Sequence, residues 1–245
     1  NHPVDANKEA LDERLEAMWK QIALRFRDYD DRLLFAGTNE VNNDDANGAQ
    51  PTEENYRVQN GFNQVFVNTV RATGGRNHYR HLIVQAYNTD VAKAVAHFTM
   101  PLDIVQNRIF LECHYYDPYD FTIMPNDENF KSQWGAAFAG GDVSATGQEG
   151  DIEATLSSLN VFINNNVPVI IGEYGPTLRD QLTGEALENH LKSRNDYIEY
   201  VVKTCVKNKL VPLYWDAGYT EKLFDRTTGQ PHNAASIAAI MKGLN

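Results

Sequence analysis

The feature that most constrains the fold of this 245-residue chain is a repeated alternation of short apolar segments with helical segments. Most of the apolar segments are hydrophobic along nearly their whole length, which is typical of parallel strands buried on both faces. The helical segments carry apolar residues at spacings of three and four, the pattern of an amphipathic helix. Strands that alternate with helices predict a parallel sheet covered by helices.

Five segments have the composition of strands. They are LLFAG (33–37), HLIVQAY (81–87), RIFLECHYY (108–116), PVIIGEY (168–174) and LVPLYWD (210–216). The predicted helices cover residues 6–26, 54–72, 90–98, 152–163, 191–205 and 234–244, and residues 117–150 are predicted to form a long loop. The first helix has no strand before it, and a closed barrel of this type needs eight strands. We therefore expect three strand–helix units to be missing before the first helix.

Charge, cysteine content and hydropathy limit the partners, the disulfide and metal sites, and the membrane segments that this chain can have. The formal net charge of −11 would repel phosphates, so neither nucleic acid nor an anionic membrane surface is expected as a partner. The two cysteines, Cys113 and Cys205, are too few for a disulfide framework or a four-ligand zinc site, and both are predicted to be buried free thiols. No apolar run has the length that a membrane span requires.

Polar or aromatic side chains end four of the five predicted strands. They are Asn39 and Glu40, His114 and Tyr116, Glu173, and Trp215 with Asp216. In parallel α/β barrels the carboxyl ends of the strands share one face, and active sites are built there. We therefore expect Glu40 and Glu173 to meet across one opening. Two carboxylates placed in this way can cleave a glycosidic bond, one as acid/base and the other as nucleophile.

Four of these motifs carry a family resemblance. LLFAGTNE, HYYDPYDFT, VPVIIGEYGP and LYWDAG resemble the later strand motifs of glycoside hydrolase family 5, the cellulase A family, and especially its endoglucanase and xyloglucanase branch. The resemblance covers essentially the whole chain and falls on the fourth to eighth units. It implies a (β/α)8 TIM barrel, of which residues 1–245 form the C-terminal part of a single catalytic domain. It also implies hydrolysis with retained anomeric configuration and no cofactor.

The resemblance implies a role for each residue at the strand ends. Glu40 matches the family's acid/base, and Glu173 matches its nucleophile. Asn39 matches the asparagine that contacts the sugar's 2-hydroxyl. His114 and Tyr116 match a His-x-Tyr pair, in which the histidine helps to order the acid/base side and the tyrosine hydroxyl reaches the nucleophile.

Two tryptophans are candidate sugar platforms. Trp215 matches the family's stacking floor, because a flat indole suits the C–H face of a pyranose ring; plain barrel core is the alternative. Trp134 is expected to stack a sugar beyond the cleavage point, and the alternative is that it anchors the long loop.

The resulting prediction is a secreted or cell-surface endo-β-1,4-glycanase that acts on a polysaccharide. Cellulose, mixed-linkage glucan and xyloglucan are the expected substrates, and β-mannan and xylan stay open. The family's arginine on strand two and histidine on strand three have no counterpart here, so an upstream segment or a second chain is expected to supply the missing strands.

Two further alternatives remain. A non-catalytic glycan-binding fragment would follow if the barrel stays incomplete. A metal-dependent barrel hydrolase ranks below it, because no His-x-His ligand set ends a strand. The segment from Asn43 to Glu54 has a loosened calcium-loop spacing but lacks aspartate at its first position, so we interpret it as a solvated loop.

Overall fold

The structure of the chain is a computed structural model that describes residues 2–43, 50–126, 129–218 and 222–245. Asp45, Asn47 and Gly48 of the calcium-like spacing lie outside the described residues. Five strands occur in the described part of the chain: β1 (Phe35–Ala36), β2 (Leu82–Gln85), β3 (Ile109–Tyr115), β4 (Val169–Tyr174) and β5 (Val211–Tyr214). All five fall inside the predicted segments and are shorter than predicted.

Helices alternate with the strands as predicted, and the first helix precedes the first strand. They are α1 (Asp5–Arg25), α2 (Glu53–Ala72), α3 (Val91–His97), α4 (Tyr119–Thr122), α5 (Glu149–Ser158), α6 (Asn160–Ile163), α7 (Gly184–Lys207) and α8 (Ala234–Gly243). Asn233 caps α8, because its side chain accepts a hydrogen bond from the Ser236 N–H. Gly74 and Gly75 end α2 with positive φ angles of 65° and 57°, as predicted for glycines after a helix.

The sheet has the parallel topology that the strand composition predicted. Its strands are ordered β1-β2-β3-β4-β5, and β1–β2, β2–β3 and β4–β5 pair in parallel. Between β3 and β4, the N–H of Leu111 donates to the carbonyl of Pro168. Parallel strands in chain order, each followed by helix, are consecutive units of a (β/α)8 barrel, which confirms the predicted fold class.

The chain divides into two compact units, and residues 2–113 and 161–169 belong to the first. In its core Trp19 of α1 lies between two other rings, with centroid distances of 4.6 Å to Phe66 and 5.4 Å to Phe35. The Trp19 indole N–H also donates to the carbonyl of Gly37 at 2.8 Å. These contacts fix the end of β1, where the Asn39–Glu40 segment begins.

Residues 114–160 and 170–245 belong to the second unit. Its central element is α7, which packs against α5 and α8. Tyr197, Ile198, Val201, Val202 and Cys205 of α7 are all fully buried. Cys113 and Cys205 are buried and free, as the sequence predicted.

Two predicted elements differ from the structure. The predicted loop at 117–150 contains the short helix α4, so it is more structured than its composition indicated. The predicted helix at 152–163 is divided into α5 and α6. Ser157 and Ser158 donate their hydroxyls to the carbonyls of Ala154 and Thr155, a local bonding pattern that competes with a continuing helix. Among the described helices, none has the length and apolar character to cross a bilayer.

Candidate active site

Glu173 lies near the end of β4, and its side chain is 13% exposed. The pairing of β4 with β5 shifts in register between Ile171 and Tyr174, the interval that contains Glu173. Such irregularities re-aim side chains at strand ends. The carboxylate Oε2 accepts the hydroxyl hydrogen of Tyr116 at 2.9 Å and lies 3.5 Å from Nδ1 of His114. The structure thus confirms the prediction that the Tyr116 hydroxyl reaches Glu173.

His114 lies in β3 and is more deeply buried than Tyr116, which directly follows that strand. Its side chain is 4% exposed, and its imidazole faces the carboxylate of Glu173. The resemblance implied that this histidine orders the acid/base side. In the structure Nδ1 of His114 lies 3.5 Å from Oε2 of the predicted nucleophile, Glu173, and Tyr116 donates its hydroxyl to that same oxygen.

A buried arginine fixes the segments on either side of this carboxylate. Arg194 of α7 is 1% exposed. Its guanidinium donates to the carbonyl of Pro176 at 2.8 Å, the hydroxyl of Tyr214 at 2.7 Å and the hydroxyl of Ser236 at 2.7 Å. The planar guanidinium can satisfy several acceptors at once. Arg194 therefore ties the segment after β4, the end of β5 and the start of α8 together.

Trp215 is 46% exposed, unlike a core tryptophan. Its backbone N–H donates to the carbonyl of Tyr174 at 2.9 Å. This bond continues the β4–β5 ladder and fixes the backbone position from which the indole projects. The neighbouring carboxylate, Asp216, accepts backbone N–H bonds from Gly218 and Leu223 at 2.9 Å each. Burial alone would raise the pKa of Asp216, but these hydrogen bonds hold that pKa below its usual value. Asp216 thus bonds the backbone at both Gly218 and Leu223.

The predicted sugar contact of Trp134 is wrong in this structure. Trp134 is 2% exposed, its indole N–H donates to the Gly147 carbonyl at 2.7 Å, and its ring packs edge-on against Tyr197 at 5.2 Å. No face of the indole is available to a sugar ring. The alternative from the sequence, an anchor for the long loop, describes what the residue does.

Asn39 and Glu40 lie in the first unit, directly after β1, and both are exposed. Glu40 has a φ of 48°, in the left-handed region that non-glycine residues seldom occupy. Its backbone N–H donates to Oε1 of Gln85 at 3.2 Å, and its carbonyl accepts from Nδ2 of Asn42 at 3.0 Å. Both backbone groups of Glu40 are therefore held.

Three buried or half-buried polar residues were not singled out from the sequence. Gln85 and Glu112 are polar side chains inside otherwise apolar strands, the same signal that drew attention to Glu173. Arg194 lies in an amphipathic helix, and nothing in the sequence separates it from a solvated arginine.

The fold and the residues at the strand ends define the class of protein to which this chain belongs. The chain is an α/β protein with a parallel sheet whose strand ends carry two glutamates, a His-x-Tyr pair and an exposed tryptophan. Proteins with this arrangement include the (β/α)8 glycoside hydrolases.

Comparisons with known proteins identify the family. The model of the cellulase family, glycosyl hydrolase family 5, matches residues 1–221. Endoglucanase A of Paenibacillus barcinonensis is 34% identical over 260 residues, which cover 99% of this chain and 63% of that protein. This chain belongs to glycosyl hydrolase family 5. It spans less than two thirds of the length of that curated relative.

Solved structures agree with the family assignment. A family 5 xyloglucanase from Paenibacillus pabuli has a TM-score of 0.89 and 34% identity, and the match covers 98% of this chain and 69% of that chain. A family 5 lichenase from Caldicellulosiruptor has a TM-score of 0.85 and 26% identity, with 100% of this chain and 66% of that chain covered.

Proposed function

We propose that the protein is a retaining endo-β-1,4-glucanase in which Glu173 is the nucleophile and Glu40 the acid/base. The observation that carries the proposal is the environment of Glu173. This carboxylate ends a strand of a family 5 chain, accepts the Tyr116 hydroxyl at 2.9 Å and lies beside His114. Donated hydrogen bonds favour the ionised carboxylate that a nucleophile requires.

The proposed reaction has two steps. An oxygen of Glu173 attacks the anomeric carbon, the glycosidic C–O bond breaks, and the carboxyl group of Glu40 gives its proton to the departing oxygen. In the second step the carboxylate of Glu40 takes a proton from water. The oxygen of that water attacks the anomeric carbon and displaces Glu173, so two inversions retain the configuration. Asn39 is proposed to contact the 2-hydroxyl, and Trp215 to stack the sugar next to the cleaved bond.

The substrate class is proposed to be a neutral β-1,4-glucan. The related proteins named above are an endoglucanase, a xyloglucanase and a lichenase, which supports cellulose, xyloglucan or mixed-linkage glucan. An uncharged polysaccharide also suits a chain with a net charge of −11. A polymer of this size is degraded outside cells, so we propose a secreted or cell-surface protein.

The test of the proposal is hydrolysis by the protein and by three glutamate variants. Glu173→Gln and Glu40→Gln keep the shape of the side chain and remove its acid–base or nucleophilic function. Glu188→Gln, on the exposed surface of α7, is the matched control. We expect the control to hydrolyse β-glucan normally and the other two to lose nearly all activity. Normal turnover by Glu173→Gln would contradict the nucleophile assignment.

The same assay separates the alternatives. Products followed by NMR should first appear with the β configuration of the substrate. Activity that falls when a chelator is added would favour the metal-dependent hydrolase instead. Hydrolysis of β-mannan or xylan in preference to glucan would change the substrate class, and binding without hydrolysis would identify a glycan-binding protein.

We further propose that residues 1–245 form the C-terminal part of a single catalytic barrel. Strands β1 and β5 end the sheet order, and on β5 the apolar residues Val211 and Leu213 are 46% and 47% exposed. Exposed apolar strands at a sheet end are normally covered. An upstream segment or a second chain would supply three more strand–helix units. The intact mass of the isolated protein tests this: a mass well above 27.7 kDa, or a second chain, is expected.

A further inference from the structure

A buried hydrogen-bond network in the first unit holds the backbone of Glu40. Gln85, at the end of β2, is 1% exposed. Its Oε1 accepts the N–H of Glu40 at 3.2 Å, and its Nε2 donates to Oε2 of Glu112 at 2.9 Å. We propose that Gln85 and Glu112 are positioning residues that orient Glu40 for proton transfer. This inference rests on the proposed function, because it assigns the pair to the acid/base of that reaction.

The direction of the Gln85 amide is determined by its partners. A backbone N–H can only donate, so the oxygen of the amide must face Glu40. Oε2 of Glu112 accepts from the amide nitrogen at 2.9 Å, so the nitrogen faces Glu112. Gln85 and Glu112 are also directly paired in the β2–β3 register, which places their side chains on the same face of the sheet. Both partners therefore select the same amide orientation.

Helix α2 fixes the strand end on which Gln85 lies. The carbonyl of Gln85 accepts from Nδ2 of Asn63 at 2.8 Å and from Nε2 of Gln59 at 3.2 Å. Asn63 and Gln59 are both fully buried. Nε2 of Gln59 also lies 3.3 Å from the hydroxyl of Thr38, which in turn lies 3.4 Å from Oε1 of Gln85. The segment from Thr38 to Glu40 is thus tied to both α2 and β2.

The backbone conformation of Glu40 explains why such a network is needed. A φ of 48° is sparsely occupied by non-glycine residues and persists where surrounding contacts impose it. The N–H of Glu40 is held by Gln85, and its carbonyl by Asn42, whose amide also donates to Asn88 at 2.8 Å. If Gln85 no longer accepts from Glu40, the backbone is expected to relax and to carry the carboxyl group away from the position it needs.

This role predicts a specific kinetic signature. Proton donation matters most when the departing oxygen is a poor leaving group, as in a polysaccharide. It matters little for an aryl glycoside whose phenol leaves without a proton. Misplacing Glu40 should therefore lower kcat/KM on the polysaccharide more than on a dinitrophenyl cellobioside. A general loss of folded protein would lower both equally.

The first test is Gln85→Glu, which keeps an acceptor for Glu40 but sets two carboxylates against each other at the β2–β3 pair. We expect the ratio of aryl-glycoside to polysaccharide kcat/KM to rise roughly tenfold or more, within the range of general acid catalysis. Adding Glu112→Gln restores a donor opposite the new carboxylate, so the double variant should recover a ratio close to that of the unmodified protein. Gln21→Glu, on the exposed face of α1, makes the same charge change as a control and should leave the ratio unchanged.

A second variant tests the same inference in case Gln85→Glu does not fold. Glu112→Ala, at a half-buried position, removes the acceptor that orients the Gln85 amide and is expected to raise the ratio as well. Unchanged ratios in Gln85→Glu and Glu112→Ala, with an active unmodified protein, would overturn the positioning inference and leave the proposed function standing. An unmodified protein that hydrolyses neither substrate would overturn both.

Discussion

The hydroxyl of Tyr116 donates its hydrogen to Oε2 of Glu173 over 2.9 Å. The two residues come from neighbouring strands of the parallel sheet, and the donor selects one oxygen of the carboxylate. That oxygen also faces Nδ1 of His114 at 3.5 Å. The hydrogen bond from Tyr116 restricts the rotation of the Glu173 carboxylate.

Tyr116→Phe removes this donor and keeps the ring. We expect kcat/KM on β-glucan to fall roughly ten- to a hundredfold, since a single preorganised donor has an effect of about this size or larger. The free energy of unfolding should change by about 1 kcal/mol or less. Tyr119→Phe is a suitable control, because Tyr119 is 52% exposed in α4. Equal activities of the two variants would show that the Tyr116 contact has no part in the reaction.

The two tryptophans discussed above should respond in opposite ways to substitution. Trp215→Ala removes an exposed indole and should raise KM for β-glucan roughly tenfold with little change in stability. Trp134→Phe leaves the Gly147 carbonyl without its indole donor and should lower the free energy of unfolding by about 2 kcal/mol, with KM unchanged. Steady-state kinetics and urea unfolding of both variants check this. A raised KM for Trp134→Phe would restore its predicted sugar contact.

Gly37 is required by close packing where β1 leads to Asn39 and Glu40. A Cβ atom at this position would lie 2.6 Å from Cδ1 and 2.9 Å from Cγ of the Phe66 ring. Gly37→Ala should therefore lower the free energy of unfolding by about 1–3 kcal/mol, as overpacking does.

Gly61→Ala is the matched control for that substitution. Gly61 lies inside α2, and its Cβ would meet only the flexible end of the Lys8 side chain, at 3.2 Å. Alanine should stabilise the helix there by about 0.5–1 kcal/mol. Thermal or urea unfolding of both variants distinguishes the two cases, and a stable Gly37→Ala protein would contradict the packing argument.

The sequence determined the order of strands and helices well, because apolar segments such as residues 168–174 have few other stable arrangements than a buried parallel strand. It also located Glu173 and Tyr116, since polar groups at the ends of such strands stand out. It did not locate Gln85 and Glu112. Their proposed role comes from a cross-strand pairing, which depends on register and not on local composition.

The expectation for Trp134 was wrong for a similar reason: its environment depends on tertiary structure and not on local composition. Whether an indole faces solvent or the core depends on how the long loop folds over α7, and the loop's composition does not determine this. Arg194 is a comparable case. Its three acceptors come from positions 18 to 42 residues away along the chain, so its burial follows from the tertiary fold alone.

We expect His190 to make the stability of the fold depend on pH. It is fully buried, its Nδ1 lies 2.8 Å from the carbonyl of Ser132, and its Nε2 accepts the backbone N–H of Arg179 at 3.0 Å. Nε2 is thus an acceptor, which requires the neutral ring with its hydrogen on Nδ1. Burial, aided by the positive charges of Arg194 and Arg179, lowers the pKa of His190 below 6.5. The pKa of His81 is also lowered, mainly by burial.

A histidine whose pKa is lower in the folded state binds more protons when the chain is unfolded. Its contribution to stability is therefore present above pH 6.5 and is lost as the pH falls toward the folded-state pKa, by at most about 1.4 kcal/mol per pH unit for each histidine. Urea unfolding between pH 8 and pH 5 should show this loss. His190→Gln should be less stable at pH 8 but lose less stability on acidification, and His81 should account for part of the remainder. A pH dependence in His190→Gln as steep as that of the unmodified protein would mean that His190 does not titrate in this range.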